Sequence, residues 1–127
     1  MDRRSGAPTA MRLFEDVPLV YLHRDVVDFR KAINGLVVII EQEMALSPYT
    51  PALFVFCNRH RDKLKVVYWD ETGFCLWYKR LEKAKFIWPR KSKDETVVLD
   101  EEQLHWLLRG YDLSKMTPHQ RLTYAAS

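Results

Sequence analysis

LFVFCNRHRDKLKVVYWDETGFCLWYKRL, residues 53–81, decides the fold. It divides into three apolar runs separated by polar breaks. Leu53–Cys57 is short, aromatic and β-branched, the composition that suits a pleated strand. Asn58–Asp62 is a polar loop. Lys63–Trp69 is a second strand, and Phe74–Leu81 is a third. Between those two, Asp70-Glu71-Thr72-Gly73 has the composition of a type I turn. Gly73 then takes the left-handed position and adds a one-residue bulge. With that bulge, Leu64, Val66 and Tyr68 share a face with Phe74, Leu76 and Tyr78. Lys63, Lys65, Val67 and Trp69 share the other with Cys75, Trp77 and Lys79. The expectation is one apolar face and one basic face carrying two indoles.

Outward from this core, Lys85–Trp88 reads as a fourth strand, stopped by Pro89. Upstream, residues 17–24 (VPLVYLHR) read as a short strand that Pro18 places at an edge or first turn. A helix is expected to follow, with Asp25 as cap and Asp28 beside the free N–H groups of the first turn. Phe29, Ile33, Leu36, Val37, Ile40 and Met44 then step at helical spacing. Eighteen residues would make a helix about 27 Å long, enough to span the sheet's apolar face. Val38 and Ile39 lie off that stripe, which indicates deep burial or a partner surface. Pro48 and Pro51 close the segment.

Downstream, residues 90–96 form a charged loop and Val97–Leu99 a short strand. Asp100 and Gln103 have the spacing of a capping box, Leu104, Leu107 and Leu108 form an apolar face, and Gly110 stops the second helix. Thr117-Pro118-His119-Gln120 resembles another helix start. The predicted class is α+β: a mainly antiparallel meander of about four strands, a long helix on its apolar face, and a second C-terminal helix. The predicted organisation is a flexible tail over 1–16, one domain over 17–113, and a tail or short helix over 114–127. Met1 and Met11 are both candidate starts.

The chain has 127 residues, 20 Lys/Arg against 17 Asp/Glu, and a net charge of +3. The charge is unevenly spread. Asn58–Lys93 holds eleven Lys/Arg against four Asp/Glu, and with them Trp69, Trp77 and Trp88. Concentrated positive charge interleaved with flat aromatics suits a phosphate-and-base ligand. The same pattern also arises as a solvated sheet face over an aromatic core. The candidate nucleic-acid contacts are Arg59, Arg61, Lys63, Lys65, Lys79, Arg80, Lys83 and Lys85 for phosphates, with Trp69 and Trp77 for stacking. Arg90, Lys91 and Lys93 form a second basic loop of the kind that positions phosphates.

Signals for chemistry are sparse. There is no phosphate-binding glycine loop, and the four histidines lack ligand spacing. Cys57 and Cys75 have no second close pair, so neither a disulfide framework nor structural zinc is expected. Asp70 and Glu71 have a turn explanation, and Asp25, Asp28 and Asp100 have capping ones. No catalytic residue, metal or cofactor is therefore expected, and the chain reads as a non-enzyme. No apolar run approaches the length of a membrane span, and the N-terminus does not resemble a secretory signal. A cytoplasmic protein follows as the expectation.

The residues that carry a family resemblance are Leu53-Phe54-Val55-Phe56, Arg59, Lys65, Tyr68-Trp69-Asp70, Gly73-Phe74, Tyr78-Lys79-Arg80-Leu81-Glu82 and Phe86 with Trp88-Pro89. Asp28-Phe29-Arg30-Lys31 and Gly35-Leu36 add to them. Over residues 17–113 the chain resembles the TnpB-type accessory proteins of insertion sequences in family sixty-six. Phe29 stands where that family usually has methionine, and Ala32 and Pro51 where it often has glycine. The resemblance implies a bacterial mobile element and a separate, larger transposase, with no known catalytic activity for the accessory chain. The expected role is a non-catalytic transposition factor that holds DNA, at element ends or target, and assists that transposase. The alternative is a module that docks the transposase through the same block without touching DNA. A second copy of the chain is a further candidate partner.

Overall fold

In the computed structural model, the described residues are Phe14, Asp16 and 19–116. Most of the two expected tails, together with Pro18 and Thr117–Gln120, lies outside them. The elements in chain order are β1 (Val20–His23), α1 (Ile33–Gln42), β2 (Leu53–Cys57), β3 (Lys63–Asp70), β4 (Gly73–Arg80), β5 (Thr96–Leu99) and α2 (Glu101–Leu108). A short 3₁₀ turn follows at Leu113–Lys115. The fold is α+β, with a five-stranded sheet in the order β4-β3-β2-β1-β5. β1 and β2 run parallel, and the other three pairings are antiparallel. The three strands expected over 53–81 are present. β1 is an interior strand, not an edge, because β5 returns to pair along its open side.

Both faces of the sheet are covered. Leu36, Ile39 and Ile40 of α1 pack on Phe54, Phe56 and Val67. On the opposite face, Leu104, Leu107 and Leu108 of α2 pack with Val20, Leu22, Val55, Leu64 and Val66. β2 sits between the two cores and is buried at every position, which is why its sequence is continuously apolar and does not alternate.

α1 is shorter than expected, at ten residues, or about 15 Å. Asp28 does not cap it. Its carboxylate instead accepts the Arg30 N–H at 2.9 Å in a local turn, and the helix begins only after Ala32, which provides no side-chain cap. Of the two off-stripe residues, Ile39 is core and Val38 is 46% exposed. Lys85–Trp88 is not a strand. Phe86 and Trp88 are buried with the α2 core, but the segment crosses from the β2–β3 hairpin, where the Phe86 N–H meets the Arg61 carbonyl, to the end of β1, and does not join the ladder. The Trp88 indole Nε1 donates to the carbonyls of His23 (3.3 Å) and Arg24 (2.8 Å). α2 follows expectation: Asp100 and Gln103 form the reciprocal capping box, and Gly110 (φ +91°) ends the helix.

The β3–β4 register differs from the expected one. Asp70 pairs with Gly73, Trp69 with Phe74, Val66 with Trp77 and Lys65 with Tyr78. The turn has two residues and no bulge, and the positive φ falls on Glu71 (+50°) instead of Gly73. A one-residue change in register moves every side chain of β4 to the other face relative to β3. Trp69 and Trp77 therefore lie on opposite faces, as do Lys65 and Lys79, and no single basic, indole-bearing face forms.

Candidate nucleic-acid interface

The displaced lysines serve the fold. Lys65 is buried on the α1 face, where its Nζ donates to the carbonyls of Phe29 (3.1 Å) and Lys31 (2.8 Å). The ammonium also lies 4.7 Å from the Phe29 ring centre and 5.6 Å from that of Tyr78. These partners offset the cost of burying the cation, although desolvation still lowers its pKa. Lys79 lies on the other face and donates to the Leu108 carbonyl at 2.9 Å, placing a positive charge at the carboxyl end of α2. Trp77 packs edge-on against Phe14, a residue within the stretch read as tail. Trp69 joins Tyr49 and Phe74 in a half-exposed aromatic cluster.

Positive charge gathers instead at one end of the sheet. The parallel pair β1 and β2 both end there, and antiparallel β3 begins there. The rim is therefore built from Arg24, the Asn58–Lys63 hairpin and the 90–95 segment. Asn58 organises the hairpin. Its Oδ1 accepts the N–H groups of Asp62 (3.1 Å) and Lys63 (3.0 Å), and its Nδ2 donates to the Asp62 carboxylate at 2.7 Å. That bond and the neighbouring Lys63 ammonium lower the pKa of Asp62. Arg61 takes a left-handed conformation (φ +59°), and its carbonyl accepts the Phe86 N–H at 2.7 Å. Arg59 and His60 stand exposed at the tip.

Arg24 ties the third part of the rim down. Its N–H donates to the Glu95 carbonyl, and its guanidinium donates to the carbonyls of Ser92 and Lys93. A hollow of about 430 Å³ results, lined by Arg24, Asp25, Val26, Arg59, Arg61 and Arg90. Four arginines and one acidic residue line it. Arg24 lies 3.1 Å from Asp25, whereas Arg59, Arg61 and Arg90 have no ion pair among the described residues. The buried ring of His23 fixes this corner from behind: Nδ1 donates to the Asp25 carbonyl at 2.7 Å, and Nε2 lies 3.0 Å from the Glu43 carboxylate.

An adjoining hollow of about 600 Å³ shares Val26 and Arg59 with the first. Its walls include Phe29 and Tyr78, and its polar groups include Asn58, His60, Lys63 and Arg30. Arg30 is committed to Asp28 through a forked pair whose shortest contact is 2.6 Å. That hydrogen bonding holds the Asp28 carboxyl at a pKa of about 2.

Of the residues expected to meet nucleic acid, Arg59, Arg61 and Lys63 come together at this rim. Arg80 is directly opposite Lys63 and pairs with Glu82 at 2.8 Å. Lys83 and Lys85 are exposed on the crossing segment. Lys65, Lys79, Trp69 and Trp77 are elsewhere. The expectation missed Arg24, Asn58 and Tyr78, and it counted Arg90 only within a loop. The signal for Arg24 and Arg59 was their place just after two strands, where ligands gather when such strands run parallel. Only the parallel pairing makes that visible. Among the described residues, no group of three or more His, Cys, Asp or Glu is placed to hold a metal, and no helix is long and apolar enough to cross a membrane.

The chain belongs to the IS66 Orf2-like proteins (TnpB_IS66), whose family profile matches residues 19–118. It is thus an accessory protein of an insertion sequence. The chain is 37% identical to the uncharacterised protein y4jC of Sinorhizobium fredii (strain NBRC 101917 / NGR234) over 102 residues, 79% of this chain and 86% of the relative. It is 34% identical to the uncharacterised protein y4hO of the same strain over 85 residues, 67% of this chain and 73% of the relative. No solved structure matches the chain.

Proposed function

We propose that the protein is a non-catalytic transposition factor of the cytoplasm that grips DNA through the rim at the strand ends and assists the transposase of its element. The observation behind this reading is the hollow where Arg24, Arg59, Arg61 and Arg90 meet a single carboxylate. Guanidiniums are the strongest side-chain partners of phosphate oxygens, because their planar donors engage two oxygens at once. Lys63, Lys83 and Lys85 extend the positive field along the backbone of a bound duplex. Contacts of this kind position DNA without reading its sequence.

If about six phosphates are neutralised, affinity falls roughly a thousandfold between about 50 and 200 mM salt. A salt-titrated gel shift on element-end DNA measures this. Replacing Arg59 and Arg61 together with Glu abolishes the shift, and Arg59→Ala alone lowers the salt slope by about one. Binding that ignores salt, or that survives the double charge reversal, rejects the reading.

The Tyr49–Trp69–Phe74 cluster favours a second reading. It lies at the other end of β3, about 20 Å along the strand from Lys63, and half-exposed aromatics are the usual anchors of protein interfaces. There the transposase docks at the aromatic end, and DNA contact is not required.

A further inference from the structure

We infer that the two adjoining hollows form one site for an unpaired nucleotide of a DNA strand, with its phosphate among the arginines and its base against Tyr78. This inference rests on the DNA-binding reading above and specifies the form of DNA that is bound. The two hollows differ in chemistry. The smaller is lined mainly by arginines. The larger has an aromatic and aliphatic wall of Phe29, Tyr78 and Val26, with the exposed His60 as a hydrogen-bonding group. A phosphate fits the first and a flat base the second, and Arg59 and Val26 stand where the two join.

Tyr78 is suited to stacking. The residue is 50% exposed, yet its ring is held by Phe29, at 72° with 6.2 Å between ring centres, and by the Lys65 ammonium. Lys65 is in turn fixed by two backbone carbonyls, so the aromatic wall is formed before any ligand arrives. A base can reach this wall only when it is out of the helical stack, because bases inside a duplex keep their faces against their neighbours. Duplex DNA can meet the arginines with its phosphates but cannot fill the larger hollow.

The test uses fluorescence polarisation of the full chain with a labelled single-stranded oligonucleotide and with the same sequence annealed to its complement. Tyr78→Ala is expected to weaken single-strand binding about tenfold and to leave duplex binding within about twofold. Tyr78→Phe is expected to restore the loss. A second measurement on the unaltered protein guards against a folding defect: the Tyr78 ring resonances shift on adding the single strand and stay in place on adding the duplex. The inference is overturned if those resonances ignore the single strand, or if Tyr78→Ala leaves single-strand affinity unchanged. Salt-dependent binding of both DNA forms without any role for Tyr78 removes only the unpaired-nucleotide site. Absence of binding to either form removes the DNA reading as well.

Discussion

Asn58 is the residue on which the rim depends. It is nearly buried, and its amide spans the hairpin from Asp62 to Lys63. Removing it leaves two N–H groups and a carboxylate without their shared partner. Asn58→Ala is expected to cost about 2 kcal/mol in urea unfolding. It should also lower DNA affinity in the folded protein, because Arg59 and Arg61 lose their fixed spacing. Asp28 gives a pH signature. Its folded pKa is about 2 against an ordinary 3.8, through the Arg30 guanidinium. A carboxylate with a depressed pKa contributes stability that is present above the unfolded value and lost as pH falls through the folded one. Carbon-detected NMR of the Asp28 carboxyl should show a midpoint near 2, returning toward 3.8 in Arg30→Ala. Lys65 is a poor place to test DNA contact, since charge reversal there sets a carboxylate against two backbone carbonyls and disrupts the fold.

Among the elements, those with strong local signatures were legible. Leu53–Cys57, Lys63–Trp69, Val97–Leu99 and the capped second helix could be read because composition, caps and turn residues agree there. What failed depended on tertiary partners. Whether Phe29 begins a helix turns on Lys65 binding the Phe29 and Lys31 carbonyls, a contact between residues far apart in the chain. Phe86 and Trp88 alternate as a strand does, but their partners are α2 residues and the carbonyls ending β1. The candidate site was legible in its composition but not in its location. The basic residues were identified, but placing them on a face required a register, and one residue in the β3–β4 turn decides that. Glu71 occupies that turn with φ +50°, where a side chain costs about 1 kcal/mol that glycine avoids. Glu71→Gly is expected to raise stability by up to about 1 kcal/mol in thermal or urea unfolding, with the Trp69–Phe74 pairing retained in NOE spectra.

At the scale of the whole molecule, the sheet has two chemically distinct ends. Arg24, Arg59, Arg61 and Arg90 collect at the end where β1 and β2 finish, and Tyr49, Trp69 and Phe74 collect at the other. This separation makes the two readings of function experimentally independent. Trp69→Ala combined with Tyr49→Ala is expected to weaken capture of the transposase in a nuclease-treated pull-down while leaving DNA affinity unchanged. Arg59→Glu with Arg61→Glu is expected to do the reverse. Loss of both activities in either variant would show that the ends do not act separately.

The position of β1 has a consequence for synthesis on the ribosome. It is among the earliest strands to emerge, yet one of its two neighbours, β5, is among the last. Until residues 96–99 arrive, a nascent chain carries an open, apolar strand flank able to recruit another polypeptide. Translation that stops short of β5 should therefore yield sticky fragments and no working half-protein. Supplying a peptide that contains Thr96–Leu99 and α2 should rescue the solubility of such fragments.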